Sequence, residues 1–265
     1  MWIDTHCHLD AGEFAGEELA VADDAAGQGV GMIVVPAVAP FNFDAVARLA
    51  RQRGNCAYAL GIHPLYVPGC DESDLLALRH AIEAALRDRR FVAIGEIGLD
   101  FFVPALKEPA MRDKQEHFYS EQLKLAREFD LPVLLHVRRS QDIILKYLRR
   151  IAVPGGIAHA FNGSFQQAET FVGLGFKLGL GGAMTFPRSL QIRRLAAEVP
   201  LDAVVLETDA PDISPAWLHP QRNTPDQIPR IGQVLAELRG MDIADVAAAT
   251  SANAHAVLPR LAAAT

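Results

Sequence analysis

Short apolar runs alternate along this chain with segments of helical period. Strand-like runs occupy residues 1–8, 31–38, 57–64, 91–99, 131–137, 155–160, 176–182 and 203–209. Helical patterning covers 17–29, 43–53, 71–88, 112–130, 140–150, 165–174 and 190–198, and two further helices, 225–239 and 243–258, close the chain. The strand-like runs are rich in Val, Ile, Leu and Ala and bounded by Gly or Pro, the pattern of strands buried on both faces in parallel sheets. Strand followed by helix, eight times, predicts an α/β fold, a (β/α)8 TIM barrel. No linker or low-complexity tract interrupts it, so residues 1–265 are read as one domain.

Polar residues are misplaced in such runs unless they have work to do. Five runs end in a residue able to bind a divalent metal: Ile3-Asp4-Thr5-His6-Cys7-His8, Val92-Ala93-Ile94-Gly95-Glu96, Val133-Leu134-Leu135-His136, Gly156-Ile157-Ala158-His159 and Val204-Val205-Leu206-Glu207-Thr208-Asp209. In a closed barrel the C-terminal strand ends meet on one face, which would bring His6, His8, Glu96, His136, His159 and Asp209 to one pocket. On a strand, residues two apart share a face, so His6 and His8 can grip one ion while Cys7 packs away from it. A lone histidine is more often a core residue satisfied by backbone. Glu96 and Asp209 are harder to explain that way: a desolvated carboxylate needs a partner, and no basic residue lies in the adjoining run of either.

Four histidines and two carboxylates exceed what one catalytic zinc uses. Divided between two divalent ions, the set gives His6, His8 and Asp209 to one and His136 and His159 to the other, with Glu96 bridging. Ions about 3.5 to 4 Å apart can activate water and clamp the attacking and leaving oxygens of a phosphoryl displacement, with Asp209 taking the proton. Mixed His and carboxylate ligands accept Mg, Mn or Zn.

The formal charge of −7 excludes a broad basic surface for coating nucleic acid, but bound cations would still make the pocket locally attractive to phosphate. No apolar run reaches the 18 residues of a membrane span, and no leader pattern opens the chain. Three cysteines without C-x-x-C spacing suggest neither a disulfide framework nor a zinc ribbon. A monomer in a reducing cytoplasm, without a membrane partner, is the expectation. Gly179-Leu180-Gly181-Gly182 lacks the last glycine of a dinucleotide fingerprint and does not open a helix in the right place.

The segments Ile3-Asp4-Thr5-His6-Cys7-His8, Gly61-Ile62-His63-Pro64, Gly95-Glu96-Ile97-Gly98-Leu99-Asp100, Leu131-Pro132-Val133-Leu134-Leu135-His136 and Leu206-Glu207-Thr208-Asp209-Ala210-Pro211 resemble, in order, those of the TatD family of metal-dependent hydrolases. Gly181-Gly182-Ala183-Met184-Thr185-Phe186-Pro187-Arg188 is most similar to its YjjV-type branch. The resemblance implies a cytoplasmic (β/α)8 hydrolase with two divalent cations that acts on phosphodiesters as a DNase. Its ligand positions fall on the same six residues. Its histidine after the third strand falls on His63, a phosphate or leaving-group contact, and its last-loop Asn-x-Pro falls on Asn223 and Pro225, which makes Asn223 a candidate substrate contact. Thr224 departs from the acidic residue family members commonly carry there.

Arg138, Arg188 and Arg222 follow the fifth, seventh and eighth runs, where a phosphate would sit, and the planar guanidinium suits phosphate oxygens. Glu207 is either a support for the ligands or half of an internal ion pair. His80, His117, His219 and His255 fall outside the run ends and are read as surface or packing residues. An amide- or carboxylic-ester-cleaving amidohydrolase is the alternative function, since a barrel with His-x-His does not determine the bond broken. That class often bridges its metals with a strand lysine, where this chain has Glu96.

Overall fold

The computed structural model describes residues 1–264. Eight parallel strands, β1 (Trp2–Asp4), β2 (Val30–Pro36), β3 (Cys56–Leu60), β4 (Phe91–Asp100), β5 (Val133–Arg138), β6 (Gly156–Ala158), β7 (Phe176–Leu180) and β8 (Val204–Leu206), pair in sequence order. The barrel is closed between β8 and β1 just past the strand ends, where Thr5 N donates to Leu206 O at 3.0 Å and Asp209 N to His6 O at 2.9 Å. His8 N donates to Ala210 O at 2.7 Å, so the closing seam runs through ligand-bearing backbone.

Helices α1 (Glu18–Gly27), α2 (Phe43–Gln52), α3 (Glu72–Ala85), α4 (Pro109–Glu128), α5 (Gln141–Leu148), α6 (Phe165–Gly173), α7 (Leu190–Glu198) and α8 (Ile228–Arg239) each follow a strand. α9 (Ile243–Val257) and a short α10 (Leu261–Ala264) end the chain, and α10 was not anticipated from the sequence. One apolar cluster lies between the sheet and its helices, as parallel sheets require. A second fills the barrel with Met32, Val34, Ala57, Ala59, Leu134, Ile157 and Val205, joined by Leu258, Leu261 and Ala264. Arg260 ties this end of the chain to the start of β4, donating to Phe91 O at 2.6 Å. The N-terminal rim is thereby plugged, and the polar side chains converge at the other rim.

Several strands end earlier than the apolar pattern suggests: β1 stops at Asp4, β6 at Ala158 and β8 at Leu206. His6, His8, His159 and Asp209 therefore stand on irregular exits rather than on strands. The exits are still tethered by backbone hydrogen bonds, as in His159 N to Leu135 O at 3.0 Å.

Candidate metal centre

β4 brings Glu96 to the middle of the site, 1% exposed. Its motif glycine Gly98 sits at φ 145°, and a Cβ there would come within 2.1 Å of His136 O, so β4 can approach β5 this closely only with glycine. Glu96 Oε2 lies 3.1 Å from His6 Nε2 and 3.2 Å from His8 Nε2. Its other oxygen, Oε1, lies 2.9 Å from His136 Nδ1, 3.4 Å from His63 Nε2 and 3.9 Å from His159 Nε2. Asp209 Oδ1 faces His159, His8 and His6 at 3.5, 3.7 and 3.8 Å. All six ligand positions read from the run ends thus meet at one pocket, together with His63.

The first half of the expected division is present, with His6, His8 and Asp209 in one group, but His136 and His159 do not share the other. His159 is stacked on His6 with ring centroids 3.8 Å apart and groups with His6 and Glu96, 3.5 Å from Asp209 Oδ1. His136 is instead beside His63, with His136 Nδ1 and His63 Nε2 3.0 Å apart. His63, expected to touch phosphate, lies within ligand distance of the cluster at 5% exposure. The barrel's curvature, invisible in the linear spacing, carries the β3 exit over β4.

The donor set suits divalent cations. Neutral imidazole nitrogens and carboxylate oxygens are their ordinary ligands, and here His6 Nε2 and His8 Nε2 point at one another across 3.3 Å. Burial, with His159 adding to it, pushes His6 well below its usual range. Burial also opposes charge on His8 and His159, but Glu96 raises the first to about 9, and Asp209 and Glu207 raise the second to about 10. Burial works against the Glu96 carboxylate too, yet His63 and His6 hold it well below the carboxyl range. The carboxylates and imidazoles thus hold one another's charge, a task that bound cations would take over.

Around the ligands stands a ring of supports. Glu207 Oε1 is 3.0 Å from His159 Nδ1 and accepts from Ala160 N at 2.5 Å. Room for that carboxylate comes from Gly179, where a Cβ would approach Glu207 Oε2 to 2.1 Å. The glycine-rich stretch that is no dinucleotide site therefore has a packing reason. Asp100 Oδ2 lies 3.1 Å from His136 Nε2, orienting the ring so that Nδ1 faces Glu96. Asp4, fully buried, accepts from Thr208 N at 2.9 Å and His6 N at 3.2 Å, and burial pushes its carboxyl up to about 8 against these bonds. Asp209 itself adopts φ 59°, a left-handed conformation that costs roughly 1–2 kcal/mol outside glycine, eased for Asp, and is held by the closing seam. Asp4 and Asp100 lay inside quoted motifs without an assigned role. Their signal was the same as that of Glu96: a carboxylate at the end of an apolar run.

A cavity of about 1310 Å³ opens over the cluster, lined by loops following the strands. Arg138 stands at its lip, its guanidinium 4.0 Å from the Phe102 ring centroid and 3.8 Å from Asp100 Oδ2. Of the other expected substrate contacts, His63 lines the cavity floor, whereas Arg188, Arg222 and Asn223 do not reach it. Arg188 is exposed outside the cavity lining. Arg222 is committed to the segment before α1, donating to Glu17 Oε2 at 2.8 Å and Glu13 O at 2.6 Å, and lies over Phe14. Asn223 is fully buried and pins the last loop, its Nδ2 donating to Thr208 O at 2.9 Å and Asp212 O at 3.0 Å. Cys7 is buried in the packing, as expected. Of the remaining histidines, His117 pairs with Glu72 at 2.7 Å, His219 lies against Phe186, and His80 is exposed.

The TatD related DNase family profile matches residues 3–259. The chain belongs to the TatD family. It is 42% identical over 255 residues to the uncharacterized metal-dependent hydrolase YjjV of Escherichia coli, covering 96% of both chains. The crystal structure of that YjjV superposes with a TM-score of 0.92, covering 97% of this chain and 98% of that one. An uncharacterized metal-dependent hydrolase of Haemophilus influenzae is 40% identical, covering 90% of this chain and 92% of its own. The 3'-5' ssDNA/RNA exonuclease TatD of Erwinia amylovora is 30% identical, over 96% of this chain and 98% of its own. No described helix is long and apolar enough to cross a membrane.

Proposed function

We propose that this TatD-family metal-dependent hydrolase is a two-cation phosphodiesterase acting on DNA. The observation that carries the reading is the Glu96 carboxylate, with Oε2 turned to His6 and His8 and Oε1 turned to His136 and His63. One carboxylate between two imidazole groups is the arrangement that lets a pair of cations share a ligand. Divalent ions such as Mg, Mn or Zn would supply the positive charge that acidifies a water and steadies the oxygens of the displaced phosphodiester.

The chain's own groups do the rest. Asp209 is 14% exposed towards the cavity, and burial, partly offset by His159 and His8, raises its carboxyl to about 6. Facing the cavity beside the cluster, it is the group placed to take the proton of the attacking water. Glu207 and Asp100 hold the rings of His159 and His136 in orientation. Arg138, steadied against Phe102, grips a phosphate oxygen at the lip. The likeness to the Erwinia amylovora 3'-5' ssDNA/RNA exonuclease supports a nucleic-acid substrate.

The amide- or ester-cleaving alternative is disfavoured by the bridging position. The only lysine within a described strand, Lys177, donates to Asp202 O at 2.6 Å, and Glu96 occupies the bridge. The deciding experiment reconstitutes the protein with Mn and assays single-stranded DNA with free and blocked ends, RNA, cyclic nucleotides, a simple phosphodiester and a carboxylic ester. Turnover of the ester without any phosphodiester would sink the reading. A cytoplasmic monomer is part of the proposal; the three free cysteines, all buried, fit a reducing compartment.

A further inference from the structure

Ten large apolar side chains are exposed among the described residues, and five of them, Phe41, Leu65, Tyr66, Phe102 and Ile213, line the mouth of the one cavity over the metal cluster. Exposed apolar side chains gathered around a site mark recognition rather than packing. The two aromatic features differ. Phe102 has both neighbouring guanidinium groups on its ring, Arg138 at 4.0 Å and Arg139 at 4.7 Å, so it serves as their pedestal. Phe41 is 71% exposed and touches only Tyr66 among the rings, centroids 5.5 Å apart.

Phe41 is nevertheless held firmly. It sits between Pro40 and the buried Asn42, whose Oδ1 accepts from Val38 N at 3.0 Å and Ala39 N at 3.2 Å and whose Nδ2 donates to Asp10 Oδ2 at 2.8 Å. Tyr66 is tied to the metal cluster itself, its N donating to His63 O at 2.9 Å and its ring 6.3 Å from that of His63. A rigid turn that displays an aromatic ring next to a catalytic cluster presents a preformed stacking surface.

The charges around the rim fit one kind of ligand. Following the strands round the barrel, the exits of β8 and β1 are acidic, with Asp212, Asp10 and Glu13. The exits of β2 and β3 carry the aromatic wall, and that of β5 carries Arg138 and Arg139. A nucleotide meets this order with its phosphates towards the arginines and its planar base on the uncharged aromatic wall.

We propose that Phe41 and Tyr66 form a stacking platform for a nucleobase of the substrate, so that the enzyme selects base-bearing over base-free phosphodiesters. The proposal deepens the phosphodiesterase reading and rests on it. Stacking on an aromatic side chain tolerates any base, so the platform confers preference for nucleic acid without sequence specificity.

The test uses the full chain with two short single-stranded DNAs labelled at the far end, one carrying 2-aminopurine as its terminal base and one an abasic tetrahydrofuran residue. Binding is followed by fluorescence anisotropy, and stacking by quenching of 2-aminopurine emission. Wild type is expected to prefer the base-bearing strand by about 10-fold and to quench it. Phe41→Ala and Tyr66→Ala, both at exposed positions, should lose the preference and the quenching while binding the abasic strand as wild type does. Phe41→Trp should retain both. Equal affinity of wild type for the two strands, or an undiminished preference in both alanine variants, would overturn the proposal. Hydrolysis of the same strands with Mn separates it from the reading beneath it. Cleavage without base preference removes the platform alone, selective binding without cleavage removes the phosphodiesterase, and no binding by wild type removes both.

Discussion

Thr208 and Asp4, 204 residues apart in sequence, are joined by two hydrogen bonds, from the Thr208 hydroxyl to Asp4 Oδ2 at 2.6 Å and from Thr208 N to Asp4 Oδ1 at 2.9 Å. Both residues are fully buried, and each stands next to ligands: Asp4 two positions before His6, Thr208 one before Asp209. The pair therefore sets the distance between the two halves of one metal site across the barrel seam. Thr208→Val keeps the volume but leaves the carboxyl without its hydroxyl partner. It should cost about 1–3 kcal/mol of stability and weaken metal binding, while Thr208→Ser stays near wild type. Denaturant unfolding of the metal-free proteins, followed by metal titration, checks this. A valine variant that matches the serine variant in both would remove the pair from the argument.

Glu96 faces both imidazole groups, whereas His136 faces one of its oxygens only. Glu96→Ala is expected to lose both ions on dialysis, and His136→Ala mainly one. Metal content per chain by elemental analysis decides it, and loss of a single ion in each variant would show that Glu96 does not bridge.

Asp209 is placed to be both ligand and proton acceptor. An amide can still offer an oxygen to a cation but cannot accept the proton, so Asp209→Asn should lose about 10²- to 10⁴-fold in kcat at saturating metal. Near wild-type turnover restored by excess Mn would make Asp209 a ligand only and direct the search for the base to His63.

Glu207 acts on the site through His159. Glu207→Gln removes the charge that lies 3.0 Å from His159 Nδ1 and should lower metal affinity by about 10- to 100-fold without unfolding the protein. Isothermal titration with Mn measures it, and an unchanged affinity would reduce Glu207 to a packing residue.

Away from the site, Asp88 links β3 to the turn before β4. Its Oδ2 accepts from Arg51 Nε at 2.7 Å and Tyr58 OH at 3.1 Å, and its Oδ1 from Arg90 N at 3.0 Å. Burial alone would raise its carboxyl, but these bonds prevail and hold it below the ordinary value. A carboxylate depressed in the folded state stabilises the protein above its unfolded pKa of about 3.9, and that stability is lost as pH falls through the folded value. Asp88→Asn should therefore cost about 1–2 kcal/mol at pH near 7, with the deficit shrinking below about pH 4. Urea melts at both pH values test the sign; a deficit that does not change with pH would assign the loss to packing instead.

The barrel was legible in the chain because strands buried on both faces leave uninterrupted apolar runs, so their order and number survive in one dimension. For the same reason His6, His8, Glu96, His136, His159 and Asp209 stood out: each is a polar group where desolvation forbids one without a partner. The partners themselves were not legible. His63 follows an apolar run just as His136 does, and only the curvature of the closed sheet brings its Nε2 within 3.4 Å of Glu96.

The arginines make the same point from the other side. Arg138 and Arg222 are one residue type, both found after strands. One stands at the cavity because Phe102 and Asp100 hold it there, and the other is drawn to Glu17 at the N-cap of α1, 205 residues earlier in the sequence. Asn223, too, was read from its motif as a substrate contact, but its amide is consumed by carbonyls of its own loop. The chain alone determined which elements form and which side chains cannot be left unpaired, because burial is periodic and local. Which group pairs with which was decided by tertiary structure, because hydrogen bonds and ion pairs act over a few ångströms between residues that only folding makes neighbours.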